Sequence, residues 1–308
     1  MALVLVTGAT GFIGRRLSAE LVAAGHEVRA MTRRPAAYDG PGTAVAGDVL
    51  DAGTLGEALA GVEVAYYLVH SLSSSRFEAE DAAGASAFGE AAAEAGVRQI
   101  VYLGGLGADG DSLSPHLRSR REVETLLGAA GVPVTTLRAA IVVGHGGISW
   151  EMTRQLVDVS PVMVAPTWAA TLTQPIALAD AVAYLVGVLD HPDALGRTFE
   201  VGGADVLSYG QMLQRAAAVQ SGRDVPIVSV PVPQRGLVGG AVTLASSVGL
   251  AALTDVDLAT GRHLLGSMST EVVVTDDAIR AVVDLEPMGY EDMVRLALGD
   301  RLRAGETL

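Results

Sequence analysis

The hydrophobic positions of this chain follow two alternating patterns over its first half. Short apolar runs, typical of buried strands, occur at residues 3–6, 27–32, 45–47, 62–69, 97–103 and 134–144. Segments whose apolar residues recur with the period of a helix occur at 15–24, 51–61 and 77–95, and another begins at 115. Strands and helices in regular alternation predict the α/β class, with a doubly wound parallel sheet of the Rossmann type.

The second half of the chain interleaves two kinds of segment. Strand-like runs at 171–177 and 197–201, with a helix at 181–189 between them, continue the strand–helix alternation. The other elements predicted there are helices at 150–158, from 208 to about 221 and at 290–303, and short strands at 226–232 and 271–275. We expect one domain from residues 1–147, rejoined by 171–203, and a small interleaved C-terminal lobe from 148–170 and 204–308.

The first apolar run ends in a glycine-rich turn that opens the first helix. Its sequence is Thr7-Gly8-Ala9-Thr10-Gly11-Phe12-Ile13-Gly14. Gly8 permits the tight turn, Gly11 leaves room for a pyrophosphate beside the backbone, and Gly14 lets the helix pack closely on the strand. The helix N-terminus adds free N–H groups and a positive dipole end. The turn predicts a dinucleotide site whose contacts include Thr7, Thr10, Phe12 and Ile13; the alternative is an ordinary strand–turn–helix with incidental glycines.

Two arginines follow the second apolar run, at the place where dinucleotide folds select their cofactor. In such folds an acidic residue about 20 positions beyond the glycine turn binds the ribose 2′-hydroxyl of NAD. Arg33 and Arg34 occupy this place here, and their guanidinium groups suit a 2′-phosphate. They predict NADP(H) as the cofactor; the alternative is a solvated surface pair. Arg15 and Arg16 open the first helix and could also reach the phosphates.

The motif TGATGFIG at residues 7–14 resembles the extended and atypical short-chain dehydrogenase/reductases, in particular the NmrA-like, NAD(P)H-binding kind. The segment LRAAIVVG at 137–144 also resembles atypical members of that family. The resemblance implies that Asp48 and Val49 flank the adenine; the alternative for Asp48 is a turn or cap residue. A homodimer formed through helices is common in this family, so a homodimer stays open here.

His70 and Arg138 are polar residues associated with buried strands. His70 follows the fourth apolar run, and open parallel sheets bind ligands at the carboxyl ends of their strands. It is therefore a candidate cofactor-binding residue; the alternative is a hydrogen-bonded histidine of the core. Arg138 lies within the sixth run and needs a buried partner, for which we expect Glu122 or Glu124 on the preceding helix.

The catalytic residues of the standard family members are replaced in this chain. The pair Gly104-Gly105 stands where the family has a serine, and His116-x-x-x-Arg120 stands where it has Tyr-x-x-x-Lys. A spacing of four places His116 and Arg120 on one face of a helix, for which Ser114 suits the N-cap. His116 could transfer a proton, and Arg120 could hold the nicotinamide ribose. The alternative is a charged helix with a cofactor-binding arginine and no catalysis.

The composition excludes several kinds of chemistry. The formal net charge of −14 argues against nucleic acid and anionic membranes as partners. There is no cysteine, which excludes disulfides and thiolate catalysis, and all 21 basic residues are arginine, which excludes lysine-dependent mechanisms. The six histidines lack metal-ligand spacing, so we expect no bound metal. The first residues carry no secretory signal pattern, so we expect a cytoplasmic protein.

One uncharged stretch, from 236 to 253, raises the question of a membrane span. It has the minimum length for one, but its glycine, serine and threonine residues make it only weakly hydrophobic. We expect an apolar helix that lines a substrate cleft, and no integral membrane segment; the alternative is a segment that binds at a membrane surface.

Two classes of function fit these observations. The first is an NADPH-dependent oxidoreductase that acts on a small, mostly apolar carbonyl or enone metabolite, bound on the side of the C-terminal lobe. The second is a non-redox user of the same fold: an NADP(H)-binding regulator, a structural subunit, or an isomerase or cyclase that leaves the cofactor unchanged. The apolar C-terminal lobe favours the first class, and the missing serine, tyrosine and lysine favour the second.

Overall fold

The computed structural model describes residues 1–71, 74, 76–107, 113–159, 163–230 and 267–307. In these ranges the strands are β1 (Leu3–Val6), β2 (Glu27–Thr32), β3 (Thr43–Ala46), β4 (Val64–Tyr67), β5 (Gln99–Gly105), β6 (Val134–Ala139), β7 (Val142–Val143), β8 (Met163–Pro166), β9 (Leu172–Thr173), β10 (Ile176–Ala177), β11 (Thr198–Val201), β12 (Leu207–Ser208) and β13 (Ile227–Val230). The α-helices are α1 (Phe12–Ala23), α2 (Leu55–Leu59), α3 (Phe77–Glu94), α4 (Pro115–Leu127), α5 (Ile148–Val159), α6 (Leu178–Gly187), α7 (Tyr209–Ser221) and α8 (Tyr290–Arg303).

A parallel sheet of seven strands forms the centre of the described structure. Its order is β11-β6-β5-β4-β1-β2-β3, and every neighbouring pair is parallel. The chain builds β2 and β3 on one side of β1 and then returns to place β4 on the other side, so the strand order reverses between β1 and β4. The predicted doubly wound parallel sheet is confirmed, and such a reversal leaves a crevice at the carboxyl ends of the strands.

Alternate side chains of each central strand enter two hydrophobic layers. In β1, Val4 and Val6 pack in the layer of α1 and α6, whereas Leu5 packs in the layer of α2, α3 and α4. In β4, Tyr66 and Tyr67 divide between the layers in the same way. Because both faces of the sheet are covered, these strands are continuous apolar runs in the sequence rather than alternating ones.

The apolar run at 134–144 is not one strand, as the sequence predicted. β6 ends at Ala139, because its neighbours β5 and β11 end at Gly105 and Val201 and offer no further pairing. The chain leaves the central sheet there, and β7 pairs with β10 instead. Register with neighbouring strands, and not hydrophobicity, sets the end of the strand.

Three other segments contain less regular structure than predicted. The helix expected at 51–61 is a short 3-10 turn followed by the five residues of α2. The run at 171–177 divides into β9 and β10, since Pro175 lies between them and has no N–H to donate. Residues 271–275 contribute one β-bridge to β9 rather than a strand.

Arg138 in β6 binds Glu124 on α4, which confirms one of its two expected partners. The guanidinium donates to the Glu124 carboxylate from Nε at 3.2 Å and from Nη2 at 3.1 Å. The hydroxyl of Thr198 in β11 donates to the same carboxylate at 2.8 Å. These bonds join β6, α4 and β11, so Arg138 has a structural role.

A separate group of hydrophobic residues, here called the C-terminal cluster, is formed mainly by α5, α7 and α8. Its largest fully buried members are Trp150 and Tyr290. Glu151 on α5 binds Arg154 at 2.9 Å and Arg301 on α8 at 3.3 Å. This ionic group fastens α8 to α5, although the two helices are far apart in the sequence.

No helix in the described ranges is long and apolar enough to cross a membrane. The stretch 236–253, for which the sequence predicts an apolar helix, lies outside the described residues. Within those residues, no three His, Asp or Glu side chains are grouped so that they could hold a metal ion.

Candidate functional site

A groove of about 500 Å³ opens at the carboxyl ends of the first four strands. It crosses the point where the strand order reverses, which is where open α/β sheets bind their ligands. The lining residues that matter for its chemistry are Gly8, Thr10, Gly11, Arg33, Arg34, Asp48, Val49, His70 and Ser71.

The glycine turn has the backbone geometry that a dinucleotide requires. Gly8 has a φ of +62°, and a Cβ there would lie 3.0 Å from the carbonyl oxygen of Leu68. A Cβ on Gly14 would lie 2.3 Å from the carbonyl oxygen of Gly8, so α1 can pack this closely only without a side chain. Gly11 is the N-cap of α1, which begins at Phe12 rather than at the predicted residue 15. The free N–H groups and the positive dipole end of α1 therefore lie at the groove.

Of the other residues of the turn, one lines the groove and the others pack against the protein outside it. Thr10 lines the groove and is exposed to it. Thr7 is buried, and its hydroxyl accepts a hydrogen bond from the Leu68 N–H at 2.9 Å. Ile13 packs in the core, and a Cβ on Gly147 would lie 2.7 Å from the ring of Phe12. The side chains of Thr7, Phe12 and Ile13 therefore lie behind the turn and support it, whereas the N–H groups of Phe12 and Ile13 are among the free ones at the N-terminus of α1.

The end of the groove formed by β2 and β3 carries four of the predicted residues. Arg33 and Arg34 line it and are exposed, and Asp48 and Val49 line it with them. Asp48 also shapes its own turn, because its Oδ1 accepts a hydrogen bond from the Leu50 N–H at 3.0 Å. For Asp48 the two alternatives from the sequence are compatible, since it is both a turn residue and part of the wall.

Arg15 and Arg16, which the sequence also offered as phosphate ligands, do not line this groove. Arg15 donates to Asp39 at 2.7 Å, and Arg16 pairs with Glu20 at 3.0 Å. Both ion pairs are solvent-exposed, and in each of them the arginine binds a carboxylate outside the groove.

The opposite end of the groove carries His70, three residues after the end of β4. Surrounding protein desolvates the charged ring, and the positive charge of Arg120 acts in the same direction, so the pKa of His70 is lowered to about 4. The residue nevertheless remains exposed on its groove side. His70 is thus a neutral imidazole at neutral pH, able to form hydrogen bonds but not to supply a proton from an imidazolium.

Arg120 on α4 does not line the groove itself, but its charge acts on His70 at this end. Its guanidinium lies over the ring of Tyr102, 5.6 Å from the centroid. Its Nη1 atom is buried and has no hydrogen-bond partner among the described residues. Since an unpaired buried donor is costly, this atom marks a place where a ligand oxygen would complete the site.

His116 lies one turn away from Arg120, at the beginning of α4. Ser114 caps that helix as predicted, and its hydroxyl accepts the Leu117 N–H at 3.3 Å. His116 does not line the groove, whose nearest predicted residue on this side is His70. Neither residue of the predicted pair therefore lines the groove, and Arg120 is related to it through its charge effect on His70.

A side chain at Gly105, where the standard family members have a serine, would require the Leu117 side chain to move. A Cβ on Gly105 would lie 2.7 Å from Cδ2 of Leu117. Arg121 fixes the segment that follows, because it donates to the carbonyl oxygens of Gly105 at 2.9 Å and Gly107 at 2.5 Å. Arg121 was not predicted as a site residue, since nothing in its local sequence distinguishes it from the arginines beside it.

Asp81 on α3 is a second residue near the site that was not predicted. It is 4% exposed and accepts hydrogen bonds from the Ser71 N–H and from the hydroxyl of Ser119. A signal for it does exist in the sequence: Asp81 is the one charged residue in the buried stripe that also contains Phe77 and Phe88. A carboxylate on the buried face of a helix needs such partners.

Comparison with known proteins adds the family. Residues 8–175 match the family model described as NAD(P)H-binding. A (4-alkanoyl-5-oxo-2,5-dihydrofuran-3-yl)methyl phosphate reductase from Streptomyces griseus is 30% identical over 221 residues, which are 70% of this chain and 73% of that protein. A ceramide reductase from Caulobacter vibrioides is 30% identical over 196 residues, or 61% of each chain. An uncharacterized protein of Mycobacterium tuberculosis is 27% identical over 233 residues, and there the chain spans only 25% of the relative's length.

Solved structures share the fold over almost the whole chain. The NADPH-dependent quinone oxidoreductase QOR2 from Escherichia coli, solved with NADPH, matches with a TM-score of 0.74 at 20% identity, over 95% of this chain and 98% of that one. The family match, the relative from Streptomyces griseus and the glycine turn at the strand reversal lead to the same assignment. The chain belongs to the NmrA-like, NAD(P)H-binding family of atypical short-chain dehydrogenase/reductases, and its cofactor is a nicotinamide dinucleotide.

Proposed function

We propose that the protein is an NADPH-dependent oxidoreductase that acts on a mostly apolar carbonyl or enone metabolite. The observation that carries the proposal is the distribution of polar groups along the groove. Two exposed arginines lie at one end, a helix N-terminus lies in the middle, and a neutral histidine with a buried, unpaired guanidinium nitrogen nearby lies at the other end. These groups complement the 2′-phosphate, the pyrophosphate and the nicotinamide ribose of NADPH.

Each part of the cofactor has its own contacts in this proposal. Arg33 and Arg34 bind the 2′-phosphate, and the Asp48-Val49 segment flanks the adenine. The glycine turn and the N-terminus of α1 bind the pyrophosphate, and Nη1 of Arg120 donates to the ribose hydroxyls. The cofactor supplies the hydride when it is bound.

Reduction also requires a proton, on oxygen for a carbonyl and on carbon for an enone. Because the pKa of His70 is about 4, His70 does not carry that proton at neutral pH, but its ring N–H can orient a carbonyl oxygen. A water molecule donates the proton in this proposal, because His116, the donor that the sequence offered, does not line the groove. Arg120 keeps the ribose contact that a lysine makes in the standard members of the family, but its charge cannot be lost.

The proposed substrate class rests on the relatives and on the C-terminal segments. The relatives with 30% identity are named for an alkanoyl-substituted dihydrofuranone that carries a methyl phosphate and for ceramide, and both compounds carry alkyl chains. We infer a carbonyl compound with an apolar tail here. Residues 1–147 and 171–203 form the NADP(H) domain in this proposal, and residues 148–170 and 204–308 form the substrate-side lobe.

A second candidate is a non-redox NADP(H)-binding protein, whether a regulator, a structural subunit, or an isomerase or cyclase. The specific observation in its favour is that Gly104 and Gly105 stand at the end of β5 in place of the usual serine, with the Leu117 side chain packed against Gly105. For both candidates we propose a cytoplasmic protein that binds a small molecule, with a homodimer as the assembly to test.

Deuterium transfer distinguishes the two candidates. The protein is incubated with NADPH deuterated at C4 of the nicotinamide, in each stereoisomer, and with ketones and enones of increasing alkyl length. The oxidoreductase should place deuterium in the product from one stereoisomer only, with kcat/KM rising with chain length. Arg120→Ala should lower kcat/KM about tenfold or more. Tight NADPH binding with no transfer to any of these substrates would favour the non-redox candidate.

A further inference from the structure

We propose that Asp81 is a positioning residue that holds His70 and Arg120 in their relative positions, and so sets the affinity for the nicotinamide half of the cofactor. The inference rests on the proposed function, because it takes NADPH as the ligand of the groove. Asp81 does not line the groove. It acts instead through the two groups that its carboxylate binds.

The two oxygens of the Asp81 carboxylate bind two different elements. Oδ1 accepts the backbone N–H of Ser71 at 2.8 Å, and Ser71 directly follows His70. Oδ2 accepts the hydroxyl of Ser119 at 3.3 Å, and Ser119 directly precedes Arg120. One buried carboxylate therefore joins the loop after β4 to α4, beside the two residues that the proposed function assigns to the nicotinamide end of the groove.

The packing of α3 against α4 fixes the position of Asp81. Asp81 and Ser119 are 38 residues apart, and the same separation relates Gly89 to Leu127 further along the two helices. A Cβ on Gly89 would lie 2.7 Å from the carbonyl oxygen of Leu127, so the backbones are in close contact there. The helix interface thus sets the location of the carboxylate, and the loop after β4 is held to it.

Two tyrosines indicate that Asp81 and Arg120 belong to the same buried region. The rings of Tyr67 and Tyr102 lie 6.3 Å apart. Burial is the main reason that the pKa of each phenol is raised, but each is also raised by the charge of Asp81 and lowered by the charge of Arg120. The carboxylate and the guanidinium therefore act on the same aromatic pair from neighbouring helices.

The test compares two ligands by titration calorimetry of the full chain. NADPH occupies the whole groove, whereas 2′,5′-ADP carries only the adenosine half with its phosphates. Asp81→Ala removes both hydrogen bonds, and we expect the affinity for NADPH to fall about tenfold while that for 2′,5′-ADP stays within about twofold. Ser119→Ala removes only the bond to α4 and should give a smaller loss in the same direction.

Two further variants separate positioning from simple loss of stability. Asp81→Asn keeps an acceptor for the Ser71 N–H and a donor for the Ser119 hydroxyl, so its NADPH affinity should stay close to that of the wild type. Val123→Ala is the matched destabilising control, because Val123 is buried in the hydrophobic layer of α3 and α4. It should lower the free energy of unfolding and leave the ratio of the two affinities unchanged.

The proposal for Asp81 is overturned if Asp81→Ala leaves the NADPH affinity unchanged, or if it weakens NADPH and 2′,5′-ADP by the same factor. Failure of the premise that NADPH is the ligand of the groove would look different. In that case the wild type itself would bind neither NADPH nor 2′,5′-ADP, whichever residue stands at position 81.

Discussion

The three arginines that the proposal assigns to the cofactor differ in their solvent exposure and in their contacts within the protein. Arg33 and Arg34 are exposed, so each keeps its hydration until a phosphate displaces it. Arg120 lies over Tyr102 with a buried nitrogen that lacks a partner, so much of its desolvation cost is already met before a ligand arrives. We therefore expect Arg33 and Arg34 to determine which cofactor binds, and Arg120 to determine how its nicotinamide end is held.

His70 should make the stability of the free protein fall in mildly acidic solution. Its pKa is lowered to about 4, whereas the ordinary value for histidine is 6.5. Between these values the unfolded chain binds more protons than the folded protein, so the free energy of unfolding falls as the pH drops from 6.5 towards 4. His70→Gln lacks this titration, so the stability of the wild type relative to the variant should decline over that range.

Urea unfolding at several pH values between neutral and the lower limit of the folded state measures this effect. His191→Gln is the control, because His191 lies outside the groove, before a surface 3-10 turn. If the wild type and His70→Gln lose stability in parallel as the pH falls, the account of His70 as a desolvated, neutral group is wrong.

At the scale of elements, the sequence predicts the bounds of an element well where local interactions determine them, and poorly where partners distant in the chain do. β1, β2 and α8 have the bounds that the apolar pattern predicts, because burial on both faces or a single amphipathic stripe determines them locally. The two-residue strands β7, β9 and β10 exist only through partners distant in the chain. A local pattern carries no information about such partners, which is why the sequence predicted longer strands there.

The residues of the candidate site also fall into those that the sequence could predict and those that it could not. The locations of Arg33, Asp48 and His70 could be predicted, because parallel strands bring their carboxyl ends to one edge of the sheet. Asp81 and Arg121 act from the faces of α3 and α4, and these contacts depend on how each helix is rotated against the strand ends of the sheet. That rotation is a property of the packed structure, so the sequence alone did not identify these two residues.

The close contact between α1 and β1 gives a prediction for a whole element. In Gly14→Ala the new Cβ would lie 2.3 Å from the carbonyl oxygen of Gly8, and a backbone atom cannot move aside as a flexible side chain can. We expect the free energy of unfolding to fall by about 3 kcal/mol. NADPH binding should be lost as well, because the N-terminus of α1 would leave the groove.

Gly56→Ala in α2 is the matched control for this change, measured by urea unfolding. No atom lies within 4 Å of the added Cβ, so the variant should gain about 0.5 to 1 kcal/mol from helix propensity. If both substitutions shifted stability by the same amount and in the same direction, close packing at Gly14 would not be what holds α1.

At the scale of the whole molecule, the pair β7–β10 connects the central sheet to the C-terminal cluster. β7 is in contact with α5 and α8, and β10 is in contact with α6 and α8. Phe12, at the start of α1, packs against Gly144 and Gly147, which follow β7. A cofactor on the sheet and a substrate on the C-terminal side would therefore be held by segments that contact each other directly, which suits hydride transfer between them.

The measurement that tests the account most directly is titration calorimetry with NADPH, NADP⁺, NADH and NAD⁺. We expect NADPH to bind about 100-fold more tightly than NADH, since two guanidinium groups meet the 2′-phosphate. The double variant R33A/R34A should bind NADPH as weakly as it binds NADH. Arg16→Ala is the control, because Arg16 pairs with Glu20 outside the groove, and this variant should bind both cofactors as the wild type does. Equal affinity of the wild type for NADPH and NADH, or no binding of any of the four, would contradict the account.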